Sequence, residues 1–330
     1  MGSQQSSIKE KILSRVGTHL ADIEAALEAN LTPHLDLVRD TAGHILFAGG
    51  KRLRPLLMIT CAKICGSNAP QNKRFSTIFE YLHAATLLHD DLVDGAEFRR
   101  GRPAAHRLFG NETAVLTGDF LLARALSIAS DTHNTEVIRI IGEITEQMSQ
   151  GEIQQLHNKG RLDISEAEYM EVIRRKTAVL IEGACHVGAL VAHAEKVEAE
   201  ALRRFGFHIG MAFQMADDLL DYTSDTAVLG KSVGADLMEG KLTLPVIVAL
   251  KAASPRDRHF MTEIIRRKTF TDTDFDEFKT MLTEYGGISH THRQASQCIS
   301  EAKADLDVFG MSPDRELLEL IADYALSRKA

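Results

Sequence analysis

Apolar residues return every three or four positions along almost the whole chain, the spacing of helices that bury one face against one another. Ile8, Ile12, Val16, Leu20, Ile23 and Leu27 show it near the start, and Ile138, Ile141, Ile144 and Met148 in mid-chain. The spacing predicts helices over about 8–29, 32–48, 52–65, 73–94, 113–130, 134–158, 165–193, 197–224, 242–253, 256–267, 271–285, 288–308 and 313–328. No run alternates as a half-buried strand would, and aromatics, which strands enrich, are only 6% of the residues. No Gly-, Ser- or Pro-rich linker divides the 330 residues. The expectation is therefore an all-α, single-domain bundle over 1–330, with 1–7 a disordered polar tail. The exception is 224–241, where Gly230, Gly234 and Gly240 stand among charges; it reads as a mobile lid over a site.

A net charge of −8 argues against nucleic acid as a partner. Cys61, Cys65, Cys185 and Cys298 form no disulfide framework and read as small buried hydrophobes, which suits the cytoplasm. Residues 1–8 lack the apolar core of a secretory signal; Gly2 and Ser6 match a short myristoylation pattern that an ordinary tail also matches. The apolar runs are interrupted before the ~20 residues of a membrane span, so no span is expected.

Asp90-Asp91-Leu92-Val93-Asp94 is echoed by Asp217-Asp218-Leu219-Leu220-Asp221. Each copy places carboxylates at i, i+1 and i+4 of a helix, where the outer pair shares a face at roughly 6 Å between Cβ atoms. Two like charges about 4 Å apart repel by roughly 4 kcal/mol at an effective dielectric of 20. Apolar neighbours such as Leu87, Leu88, Met215 and Leu219 sharpen that cost, so the clusters need a cation. One copy alone could be a solvated helix face; two copies in apolar surroundings point to Mg²⁺, a hard cation shared between carboxylates, water and phosphate oxygens.

The opposite charge is also grouped. Gly49-Gly50-Lys51-Arg52-Leu53-Arg54-Pro55 sets three cations before a helix start, Arg99-Arg100-Gly101-Arg102 follows the first acidic copy, and Lys176-Thr177 lies within a helix. Gly230-Lys231 and Gly240-Lys241 bracket the irregular stretch, and His83 sits two turns before Asp90. Taken singly, each is equally a surface charge or a structural histidine. Together, a diphosphate explains both signs: Mg²⁺ bridges it to carboxylates while Lys and Arg hold it directly.

The blocks GGKRLRP, HAATLLHDDLVDGAEFRRGRPAAH, GDFLLARAL, KTAVL, FQMADDLLDYTSD and GKSVGADLMEGKLTLP, in this order, resemble the signatures of the trans-type polyprenyl diphosphate synthases. The resemblance implies an isoprenoid-synthase bundle around a central active-site cavity, an Mg²⁺-dependent prenyltransferase joining isopentenyl diphosphate to an allylic diphosphate, and a homodimer. It implies metal ligation by Asp90, Asp91, Asp94, Asp217, Asp218 and Asp221, with Asp90, Asp94 and Asp217 foremost. Lys51, Arg54, His83 and Arg100 match its isopentenyl diphosphate site, with Phe213 near the isopentenyl group. Arg99, Lys176, Thr177, Gln214, Lys231 and Lys241 match positions that hold the allylic diphosphate or flank its carbocation. His106 and Ser232 depart from the common pattern without touching that chemistry.

Product length follows in the family from residues just before the first acidic motif. Ala84, Ala85 and Thr86 are small there, which implies a deep tunnel and a long product of about eight units, for quinone side chains, with Leu126 as a candidate floor. Other readings are a farnesyl or geranylgeranyl synthase, a terpene cyclase or squalene-type enzyme, and a non-catalytic subunit of a heteromeric synthase. The intact second acidic motif and GGKRLRP argue against the last three.

Overall fold

The computed structural model describes residues 2–223 and 234–327. The helices are α1 (Gly2–Asn30), α2 (Asp36–Leu46), α3 (Leu53–Ile64), α4 (Gln71–Val93), α5 (Ala105–Phe109), α6 (Asn111–Ser130), α7 (Thr135–Asn158), α8 (Glu166–Ile173), α9 (Val179–Val191) and α10 (Lys196–Thr223). They continue as α11 (Ala235–Met238), α12 (Leu244–Ala252), α13 (Pro255–Arg267), α14 (Asp272–Glu284), α15 (Gly287–Asp305) and α16 (Pro313–Ser327). α1 begins at Gly2, inside the stretch expected as a tail. The other long helices fall where the apolar spacing sets them, because their ends carry local signals. Ser165 and Glu168 form a capping box at α8, Thr271 and Asp274 another at α14, and Ser254 with Pro255 starts α13.

Two apolar clusters make the core. The larger draws on α1 to α4, α6, α7, α9 and α16; the smaller on α8 and α11 to α15. α10 serves both: Phe205, Ile209 and Ala212 enter the first, Met211, Met215 and Tyr222 the second. α6 packs along α4, burying Ala114, Leu121, Ala125 and Ile128. An 18-residue window of this 20-residue helix has a mean hydropathy of 1.2, so by length and composition alone it could cross a membrane, where the sequence led us to expect no span. Searching for unbroken apolar runs stops at Glu112, Asp119 and Arg124, whereas an average across the helix does not.

Two local features depart from the sequence reading. Phe98–Arg99 and Arg102–Pro103 pair as an antiparallel ribbon, with Phe98 opposite Pro103 and Arg99 opposite Arg102. Strands of two residues are too short to show a period, and their turn is the signal instead: Arg100 and Gly101 take φ of 52° and 74°, the pair of positive angles that a tight two-residue hairpin requires. The helix expected over 165–193 is interrupted by a π turn, Arg174–Ala178.

Candidate active site

One face of α4 carries His83, Thr86, Leu87, Asp90 and Asp94, steps of three, one, three and four residues, and all five line a cavity of about 1220 Å³. α7 supplies a facing wall in the same way with Met148, Glu152 and Leu156. α10 contributes Phe213, Gln214 and Asp217; the π turn, Lys176 and Thr177; the ribbon, Arg99 and Arg100; the turn before α3, Lys51; the first turn of α3, Arg54; the segment after α11, Lys241. The cavity thus joins residues from both acidic motifs and most of the cationic blocks. Lys231 and Ser232 lie outside the described residues, as do 224–233 of the stretch expected as a lid.

Within the first motif the carboxylates divide their work. Asp91, 2% exposed, is gripped by Arg99, whose Nε lies 2.9 and 3.1 Å from its two oxygens and whose Nη2 also reaches it. Asp91 was expected to bind metal and Arg99 to bind diphosphate; here they neutralise each other. Asp94 accepts hydrogen bonds from Lys159 at 2.8 Å and Lys241 at 3.2 Å; burial alone would raise its pKa, but these two lysines outweigh it and lower it. The Asp90 side chain has no hydrogen-bond partner among the described residues. Burial pushes it up to about 6, with Lys176 opposing and Glu152 and Asp94 adding to the rise.

The second motif is divided likewise. Asp218, 4% exposed, accepts from Tyr169 Oη at 2.5 Å and Gln214 Nε2 at 2.8 Å, and Thr177 donates to the other end of that Gln214 amide at 2.8 Å. Burial raises Asp218 to about 7 against those two hydrogen bonds, with Asp217 and Asp221 adding to the rise. Asp221 accepts the amide N–H groups of Ala235 at 3.2 Å and Asp236 at 3.1 Å, holding the start of α11. Asp218 and Asp221 are therefore engaged with protein donors, and Asp217 is the member of this motif on the main cavity wall. Tandem spacing could not reveal this, because partners from α8 and α11 are remote in sequence.

Among the described residues no three His, Cys, Asp or Glu side chains gather closely enough to hold an ion by themselves. Asp90, buried beside Asp94 and Glu152 with its pKa raised, nevertheless has the character of a ligand awaiting a cation. Carboxylates on separate walls suit a metal held jointly with the oxygens of a ligand.

The cavity also carries a group of cations. Arg54 Nε is buried without a partner, and burial lowers its pKa, with Glu80 and Asp217 opposing. Burial holds His83 well below its ordinary value, and Arg54, Arg100 and Arg99 depress it further, so it stands neutral among guanidinium groups. Arg52 also lines the cavity, but its guanidinium is held by Glu24 and Glu80. It is 3% exposed and turned inward.

The π turn aims the last cation. Lys176 Nζ donates to Gln155 at 2.7 Å and pairs with Glu152. α7 can approach because residue 151 is glycine: a Cβ there would lie 2.9 Å from both Arg175 Cβ and Lys176 N. π turns inside α-helices recur at functional sites.

Of the four residues expected to set product length, Thr86 alone lines the cavity. Ala84 and Ala85 are 4% and 0% exposed in the core, because they lie round the helix from the face of Leu87 and Asp90. Leu126 is 42% exposed, one turn past Leu122, which does line the cavity. Lys159, Glu152 and Tyr169 were missed. Only Glu152 left a legible sign, a carboxylate continuing the Ile144–Met148 stripe of α7.

Residues 36–282 match the Polyprenyl synthetase family model. An all-trans-nonaprenyl-diphosphate synthase (geranyl-diphosphate specific) of Rhodobacter capsulatus is 36% identical over 97% of this chain and 98% of its own. A geranylgeranyl diphosphate synthase of Methanosarcina mazei is 37% identical over 87% and 88%. The fold matches a crystal structure of polyprenyl synthase from Caulobacter crescentus CB15, complexed with calcium and isoprenyl diphosphate, at TM-score 0.91 and 36% identity, covering 97% of this chain and 98% of that one. With residues of both acidic motifs and most of the cationic blocks lining one cavity, this chain belongs to the polyprenyl synthetase family and is a prenyltransferase.

Proposed function

We propose that the chain condenses isopentenyl diphosphate head to tail with an allylic diphosphate, with Mg²⁺, to give a long all-trans polyprenyl diphosphate of about eight units for a quinone side chain. The observation that supports it is that Asp90 and Asp217 line one cavity together with Arg54, His83 and Arg100. Asp90, Asp94 and Asp217 would hold the metal, which when bound neutralises charge on the departing diphosphate. The Caulobacter relative, crystallised with calcium and isoprenyl diphosphate, supports a divalent cation beside such a ligand.

Lys176 and Lys241 would hold the allylic diphosphate, and Lys51, Arg54, His83 and Arg100 the isopentenyl one; that all six line the cavity supports the reading. The allylic C–O bond breaks, the isopentenyl double bond attacks the resulting cation to form a C–C bond, and the released diphosphate takes the proton. Thr86, Leu87, Leu122, Met148 and Leu156 give the growing chain an apolar wall. A homodimer in the cytoplasm belongs to the same reading; Leu116 and Leu126, 65% and 42% exposed on α6, offer an apolar face to a second copy. The test is incubation of purified protein with isopentenyl and farnesyl diphosphates and Mg²⁺, with product length read by mass spectrometry. No condensation, or a C20 product, sinks the reading or its long-chain part respectively. Asp90→Ala and Asp217→Ala are each expected to lower turnover by about a hundredfold or more.

A further inference from the structure

Arg52 stands between Lys51 and Arg54 in sequence, yet it is placed differently from both. Its Nε donates to Glu24 of α1 at 2.6 Å, its Nη1 to Glu80 of α4 at 2.6 Å, and its Nη2 to the Leu46 carbonyl at the end of α2 at 2.5 Å. Every nitrogen of the guanidinium is thereby engaged, on three separate elements. The backbone adopts φ 48° to allow it, a left-handed conformation that is unfavourable for a non-glycine residue. Such a conformation persists where the surroundings over-determine it.

The arrangement reaches the cationic wall by two routes. Glu80, 5% exposed, also acts electrostatically on Arg54 and Arg100. Gly50 is wedged between the guanidinium groups of Arg52 and Arg100: a Cβ there would lie 3.3 Å from Arg52 Nη1 and 3.2 Å from Arg100 Nη1. Moving Arg52 therefore moves the turn that carries Lys51 and the seat of Arg100.

We propose that Arg52, braced by Glu24 and Glu80, is a positioning residue for the isopentenyl diphosphate wall, so that a side chain of α1 outside the cavity tunes one substrate and not the other. The inference rests on the assignment of that wall made above. Lys176 and Lys241, on the allylic side, come from the π turn and the segment after α11, which Arg52 does not touch.

Glu24→Gln and Arg52→Lys test it, with KM measured for each diphosphate, isopentenyl diphosphate binding measured calorimetrically without the allylic partner, and the melting temperature recorded. KM for isopentenyl diphosphate is expected to rise about fivefold in Glu24→Gln and more than tenfold in Arg52→Lys, with allylic KM and kcat within about twofold. A matched rise in both KM values, or a lower melting temperature with neither KM moved, overturns the positioning role. Glu24 is half-exposed, so its variant serves if Arg52→Lys does not fold. Arg54→Gln separates the two readings. If it weakens isopentenyl binding while the Glu24 and Arg52 variants do not, the positioning role alone fails; if it does not, the wall assignment fails and the positioning role with it.

Discussion

Lys159 Nζ lies 2.8 Å from Asp94 Oδ1, so the last carboxylate of the first acidic motif is already neutralised by the end of α7. A metal ion reaching Asp94 must compete with that ammonium and with Lys241 on the other oxygen. In Lys159→Met, the Mg²⁺ concentration for half-maximal activity is expected to fall about ten- to a hundredfold, the scale of one charge-assisted hydrogen bond. Magnesium titration at fixed diphosphate checks it; an unchanged midpoint removes the competition.

Burial pushes the Asp90 carboxyl up to about 6, above its ordinary value. The folded state then holds a proton that the unfolded chain releases between about pH 4 and pH 6, so this group lowers stability as pH rises through that window. Asp90→Asn removes the cost. Urea unfolding without metal is expected to show the variant gaining on the wild type between about pH 4 and pH 7, by about 2 kcal/mol after allowing for partial solvent access. A constant difference across that range would exclude the buried-charge explanation.

Gly151→Ala drives a methyl group into Lys176 N and Arg175 Cβ, each 2.9 Å from the added carbon. Overpacking of this kind costs about 1–3 kcal/mol, and here the relief moves the π turn. The expected result is a loss of kcat of about tenfold or more with a modest drop in melting temperature. If activity survives while the protein melts earlier, the glycine matters for packing alone.

The two neighbours Ala85 and Thr86 should answer differently to the same substitution. Thr86→Phe projects into the cavity and is expected to shorten the product while preserving turnover. Ala85→Phe enters a core site with 0% exposure and is expected to destabilise the fold by about 1–3 kcal/mol. Product mass and denaturant midpoint, measured on both, decide which side of α4 faces the growing chain.

The helices were legible because burial on one face leaves a period in the sequence, and α4, α7 and α10 show it over many turns. The site was legible as types of residue: carboxylates in pairs, cations in blocks. The allocation of roles was not. Asp91, Asp218 and Asp221 resemble Asp90 and Asp217 in sequence, and only Arg99, Tyr169, Gln214 and the amides of α11 distinguish them. Arg52 looked like a third clamp residue because its anchors, Glu24 and Glu80, lie 28 positions away on either side.

A π turn accommodates one residue more than the α-helix around it, which amounts to about 100° of rotation. The face that a straight helix would carry on past Ile173 is therefore turned within Arg174–Ala178, where Lys176 and Thr177 look into the cavity. A helical wheel drawn straight through Arg174–Ala178 puts its two halves out of phase. Deleting one residue from that span would leave an ordinary, well-formed helix whose lysine points somewhere else.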